Sequence, residues 1–170
     1  GISYWSFIGK HPPLDVLALG IAEQAAIMAD AGADLLMLEM MIDIDRMLVT
    51  LEAAQTSGLP VWVGFSCEPD ESGAMCLYNG DKLEVALAAL ANKNVSLINI
   101  MHTDVKYVDK CLDIVENHWQ GLVGVYAHSG DFVDDKWIFE STISPTDYAA
   151  YSERWLKRKI QVIGGCCGIR

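Results

Sequence analysis

Residues 14–39 read LDVLALGIAEQAAIMADAGADLLMLE, and this stretch decides the fold class. Leu14, Leu17, Ile21, Ala25 and Met28 recur at helical spacing and mark one apolar face, and Gly32 stands where a left-handed residue ends a helix. The chain then passes without a linker into Ala33 to Leu38, an apolar run with no polar alternation, as a parallel strand buried on both faces requires. That run ends on a carboxylate, Glu39.

The same helix-and-strand unit recurs outward from there. Further strands are predicted at Val61 to Ser66, Val95 to Met101, Leu122 to Tyr126 and Ile160 to Ile163. Helices are predicted between them: Arg46 to Thr56 behind a cap at Asp43, Leu83 to Ala91 behind Asp81, and Tyr107 to Asn117 behind Asp104. Ser144-Pro145-Thr146-Asp147 is the strongest helix start, with a capping hydroxyl, a proline at the first helical position and an acid at the positive end of the dipole. That helix should run to about Lys159. Strand starts at 33, 61, 95, 122 and 160 are spaced like successive βα units, which describes both a barrel and an open doubly wound sheet. A dinucleotide-binding sheet would carry G-x-G-x-x-G at a helix start, and the sequence has none. The expected fold is therefore α/β, a partial (β/α)8 TIM barrel of about five βα units with a parallel sheet, and residues 1–170 are read as a single domain.

Composition narrows the function. At 170 residues, 52% hydrophobic and 21% charged, the chain has the makings of one real core and no disordered signature. Twelve Lys and Arg against 23 Asp and Glu give a net charge of −11, which repels a phosphate backbone or an anionic lipid surface, so neither nucleic acid nor membrane is an expected partner. No uncharged apolar run reaches the ~20 residues of a membrane span, and no secretion signal opens the sequence, so a cytoplasmic location is expected. Five cysteines, two of them adjacent at 166 and 167, fit metal or thiol chemistry better than a disulfide framework.

In parallel α/β folds chemistry gathers at the carboxyl ends of the strands. Those ends carry Glu39, then Ser66 and Cys67, then Met101, His102 and Thr103, then Tyr126 and His128, and finally Gly164-Gly165-Cys166-Cys167-Gly168. Glycines on both sides of the cysteine pair let the backbone turn tightly enough for two consecutive thiolates to reach one ion. Buried, inert packing is the usual fate of a free cysteine, but the flanking glycines at a strand end favour a metal site.

Val162-Ile163-Gly164-Gly165-Cys166-Cys167-Gly168 closely resembles the signature of the homocysteine S-methyltransferase family, zinc-dependent thiol methyltransferases built on a (β/α)8 barrel. Weaker likenesses lie in Ala31-Gly32-Ala33-Asp34-Leu35-Leu36-Met37-Leu38-Glu39, Leu59-Pro60-Val61-Trp62-Val63-Gly64-Phe65-Ser66, Asn79-Gly80-Asp81-Lys82-Leu83 and Val125-Tyr126-Ala127-His128-Ser129-Gly130. The resemblance places His102 where the family has a third zinc-binding cysteine, in the stretch Asn99-Ile100-Met101-His102-Thr103. It thus implies Zn2+ held by His102, Cys166 and Cys167, a ligand set with one open position.

It further implies methyl transfer to a zinc-activated thiol such as homocysteine, forming methionine, with a small-molecule thiol and a methyl donor as partners. Glu39 would be the catalytic carboxylate that holds the amino group of an amino-acid thiol, or else a salt-bridge partner. Ser66 and His128 are the other substrate-binding candidates. His128 replaces a family asparagine and serves equally well as a support for the metal ligands or as a loop residue. The recognisable part corresponds to the C-terminal portion of such a barrel, whose open strand edges imply a homo-oligomer. A non-catalytic metal-binding fragment and a zinc hydrolase are the competing readings.

Overall fold

The computed structural model describes residues 1–4, 10–133 and 136–169. Helix α1 (Leu14–Asp30) ends as the sequence predicts: Gly32 takes φ +87°, the Gly32 amide donates to the Ala29 carbonyl and the Ala33 amide to the Met28 carbonyl. This paired closure satisfies the last carbonyls of the helix and needs the left-handed residue that glycine supplies. Because Ala33 is consumed by the closure, strand β1 spans Leu36–Met41 rather than beginning at Ala33.

Helix α2 (Ile44–Gln55) follows, capped by the Asp43 carboxylate, which accepts from the Arg46 amide at 2.7 Å. Strand β2 (Val61–Phe65) leads into a hairpin of β3 (Cys67–Pro69) and β4 (Met75–Leu77), then α3 (Leu83–Ala89). Asp81, the expected cap of α3, instead accepts from the Ile44 amide at 3.0 Å and so closes the start of α2; the N-cap of α3 is Lys82, with no side-chain bond. Strand β5 (Leu97–Asp104) runs directly into α4 (Val105–His118), whose first turn Asp104 caps through the Lys106 amide. Strand β6 (Val123–His128) precedes a second hairpin, β7 (Asp131–Val133) with β8 (Lys136–Ile138). Helix α5 (Pro145–Leu156) starts at Ser144 as predicted, and β9 (Val162–Gly165) ends the order.

The five long strands form one sheet in the order β1-β2-β5-β6-β9, every neighbouring pair parallel. Each new strand joins beside the last with no reversal. A doubly wound sheet reverses direction at the point where its ligand binds, whereas barrel strands succeed one another monotonically, so this is the arrangement of part of a barrel wall. Outside β1, Ile2 makes a parallel bridge to Leu38, with its amide donating to the Met37 carbonyl and its carbonyl accepting from the Glu39 amide.

One face of the sheet lies under the helices, α2 on β1 and β2, and α4 on β5 and β6. Leu36, Leu38, Val61, Val63, Phe65, Ile98 and Ile100 are sealed there. The other face carries Met37, Glu39, Trp62, Asn99, Tyr126 and Gly164 around a cavity of about 150 Å³. Helix α5 is pinned to α4 by Arg158, which donates to Glu116 and Asp113 at 2.7 Å each, and by the fully buried Trp155, whose Nε1 donates to Asp109 at 3.0 Å. This clamp locates the chain entering β9, and with it the cysteine pair. Among the described residues no helix is long and apolar enough to cross a membrane.

Candidate functional site

The last residues of β9 and the turn beyond it are held from several sides. The Cys166 amide donates to the Ala127 carbonyl at 2.8 Å, the Ser129 amide to the Cys167 carbonyl at 2.9 Å, and the Tyr148 hydroxyl to the Gly164 carbonyl at 2.5 Å. Gly168 adopts φ +75°, and a Cβ there would overlap the Ser129 carbonyl oxygen, so the turn that follows the cysteines accepts no side chain.

His102 reaches the same place from β5 by a break in the strand. The pairing of β5 with β6 shifts between Met101 and Asp104, and His102 itself sits at φ +45°, a left-handed value seldom adopted outside glycine. Its carbonyl accepts from the Tyr78 hydroxyl at 2.6 Å. Beside it, the buried Thr103 hydroxyl donates to the Met101 carbonyl and accepts from the Cys67 amide, both at 3.0 Å. Three hydrogen bonds thus hold the irregular segment in place.

These two constructions bring His102 Nδ1 to 3.2 Å from Cys166 Sγ, with Cys167 Sγ 3.7 Å from Cys166 Sγ. The ligand atoms of all three residues lie within 4.8 Å of one another. Burial, with a smaller contribution from the neighbouring His128, lowers the His102 pKa to about 4, so the imidazole is neutral at pH 7 with a lone pair to give. Burial also pushes the Cys166 thiol up to about 11; a bound cation would reverse that shift by stabilising the thiolate. Two thiols and a neutral imidazole at this separation are a donor set that suits zinc, and with three protein donors a fourth position stays open.

A larger cavity of about 540 Å³ opens beside the cluster and is walled by Met40, Tyr78, His102, His128, Trp137 and Cys167 among others. The rings of His102 and His128 lie 4.8 Å apart, and Trp137 stands edge-on to both at 5.4 and 5.1 Å. His128 is buried, its Nδ1 has no hydrogen-bond partner among the described residues, and burial lowers its pKa. The remaining predicted residues are placed differently. Glu39 lines the smaller cavity on the concave face of the sheet and interacts electrostatically with Cys166 and Tyr126. Ser66 is fully buried at the end of β2 with an unpartnered Oγ, and it lines neither cavity.

Tyr78 and Trp137 escaped the sequence reading, because each is delivered by a short hairpin. A model of the family described as homocysteine S-methyltransferase matches residues 8–170. The chain belongs to the homocysteine S-methyltransferase family. Homocysteine S-methyltransferase 2 of Arabidopsis thaliana is 22% identical over 98% of this chain and 51% of its own length. Selenocysteine Se-methyltransferase of Brassica oleracea var. italica is 21% identical over 98% of this chain and 49% of its own. Among solved structures, the metallated form of the homocysteine methyltransferase MmuM from Escherichia coli superposes with a TM-score of 0.73 at 22% identity. That superposition covers 94% of this chain and 49% of MmuM. The chain thus spans about half the length of the family members it matches, and the shared fold is the α/β arrangement described above.

Proposed function

We propose that this chain serves methyl transfer to a zinc-activated thiol such as homocysteine, forming methionine. The observation that carries the reading is the convergence of His102, Cys166 and Cys167, from strand ends far apart in sequence, with their ligand atoms within 4.8 Å of one another. His102, Cys166 and Cys167 would hold the ion. When bound, zinc supplies Lewis-acid stabilisation of a substrate sulfur as thiolate at neutral pH.

The protein's own groups do the rest. The clamp of α5 on α4 and the bonded turn after β9 fix the two cysteine sulfurs before any ligand arrives, which limits the reorganisation that binding demands. Glu39, which lies within β1 two residues before its end rather than closing the strand as the sequence suggested, holds the substrate ammonium. His128 Nδ1, buried against the larger cavity and without a hydrogen-bond partner among the described residues, offers a hydrogen bond to a bound small molecule. The aromatic walls of Tyr78 and Trp137 keep water from the sulfur while a new S–CH3 bond forms and the donor's bond to that methyl breaks.

In this reading residues 1–170 form one domain corresponding to the C-terminal portion of a family barrel, act in the cytoplasm and self-associate. Metal analysis followed by incubation with homocysteine and S-methylmethionine tests it. One zinc per chain and formation of methionine are expected; a protein that binds no zinc overturns it.

A further inference from the structure

The interior of a barrel wall is normally filled by bulky branched side chains. Here one interior layer is not. At the level of Glu39, the paired positions across the sheet are Gly64 on β2, Asn99 on β5, Gly124 on β6 and Val162 on β9. Gly64 alone stands between the two polar side chains, its side-chain room taken by Met101, and Glu39 and Asn99 both line the smaller cavity together with Tyr126.

Asn99 is 1% exposed, and its Nδ2 has no hydrogen-bond partner among the described residues. Its Oδ1 occupies the room that the missing side chain of Gly124 leaves. A buried amide donor without a partner is expensive to keep, so its place on a cavity wall calls for a ligand atom that accepts.

We infer that Asn99 is a specificity-determining residue that reads the carboxylate of an α-amino-acid thiol. Glu39 in the same layer takes that molecule's ammonium, so the two side chains recognise opposite ends of one zwitterion. This rests on the thiol reading above. Tyr126 lines the same cavity and interacts electrostatically with Cys166, so a head group held by Glu39 and Asn99 has its side-chain sulfur on the side of the cysteine pair. The chemistry selects amino-acid thiols over simple thiols and over amine thiols that lack the carboxylate.

The test is binding calorimetry on the zinc-supplemented chain with two probes, L-homocysteine and 3-aminopropane-1-thiol, which is the same molecule without its carboxylate. The native protein should bind homocysteine tenfold to a hundredfold more tightly than the amine. In Asn99→Ala that preference should fall below threefold, through weaker binding of homocysteine and unchanged binding of the amine. Asn99→Asp keeps the shape of the side chain and should invert the preference, and it guards against misreading a folding defect. A circular dichroism melt accompanies both variants, and removal of an unpaired buried donor should leave Asn99→Ala melting at or above the native temperature. Equal binding of the two probes by the native protein, or an undiminished preference in Asn99→Ala as if a water satisfied Nδ2, overturns the assignment and leaves thiol binding standing. Failure of the native protein to bind either probe removes the thiol reading and this inference with it.

Discussion

Gly168→Ala is the most direct perturbation of the metal centre that leaves every proposed ligand in place. Two effects add. A non-glycine residue at φ +75° is disfavoured by about 1–2 kcal/mol. The new Cβ would also overlap the Ser129 carbonyl, and relieving that contact separates Ser129 from the turn and sacrifices the 2.9 Å bond from the Ser129 amide to the Cys167 carbonyl, worth about 1 kcal/mol net. The sum is about 2–3 kcal/mol. Because β9 is the edge strand and its residues are only half-buried, the metal-free chain can shift the turn without unfolding, so most of that free energy should appear as lost zinc affinity. At 1.4 kcal/mol per decade the loss is roughly 30- to 140-fold. Competition for zinc against a chromophoric chelator measures it, with a urea melt of the metal-free chain expected to move by less than about 1 kcal/mol. Zinc affinity within threefold of the native value would refute the argument that this turn presets the cysteines.

Three further outcomes follow from the same geometry. His102→Ala and Cys166→Ser should each weaken zinc binding by more than the roughly 10- to 100-fold typical of supporting groups, whereas His102→Cys should retain zinc, as metal analysis after dialysis will show. Trp155→Ala removes a fully buried indole and its bond to Asp109, and should lower stability by about 3–5 kcal/mol in urea titration; Ser144→Ala, which loses the cap bond from the Asp147 amide and an exposed bond to the Asp147 carboxylate, should lower it by about 1 kcal/mol. Sedimentation velocity should find a self-associated species, since Leu19 and Ile27 on α1 are 74% and 62% exposed and β9 presents an unpaired edge; a stable monomer at micromolar concentration would count against that proposal.

The five strands of the main sheet were readable because each is a short apolar run, and β-branched residues bounded by turn and cap signals leave few alternatives. Their ends were less so. The strand expected to stop at Met101 continues to Asp104, and the one expected to stop at Tyr126 continues to His128, because pairing at a sheet's rim is decided by the neighbouring strand and not by local hydrophobicity. The hairpins are three-residue strands with no room for a periodic pattern. For β3 and β4 a turn signal existed: Asp70 Oδ1 accepts from the Ser72 amide at 2.8 Å and the Ala74 amide at 3.0 Å, the behaviour expected of Asp in Asp70-Glu71-Ser72-Gly73. For β7 and β8 the sequence offers no comparable mark, so Trp137 could not be placed at the cavity from composition or spacing. Asp81 shows a further limit, since a capping side chain beside one helix was claimed by another that only the folded chain brings near.

The proposed metal ligands were legible as residue types, but the route by which His102 reaches the cysteine pair was not. A regular strand sends successive side chains to opposite faces, and Met101 is paired with Tyr126, which lines the concave side. His102 would then face the helices, away from the cysteines. The register shift after Met101 and the left-handed φ of +45° turn the ring back toward Cys166. The same device recurs at Met40, which sits at φ +57° within the register shift between β1 and β2, and whose amide donates to Met101 Sδ at 3.2 Å. The ends of β1 and β5, with β2 between them in the sheet, are thus broken in the same way and bonded to each other, so each irregularity supports the other. Backbone strain of about 1–3 kcal/mol per residue persists only where the surroundings over-determine it, and here hydrogen bonds from Tyr78, Thr103 and Met40 do so. The position of the imidazole is therefore a property of the packed rim as a whole.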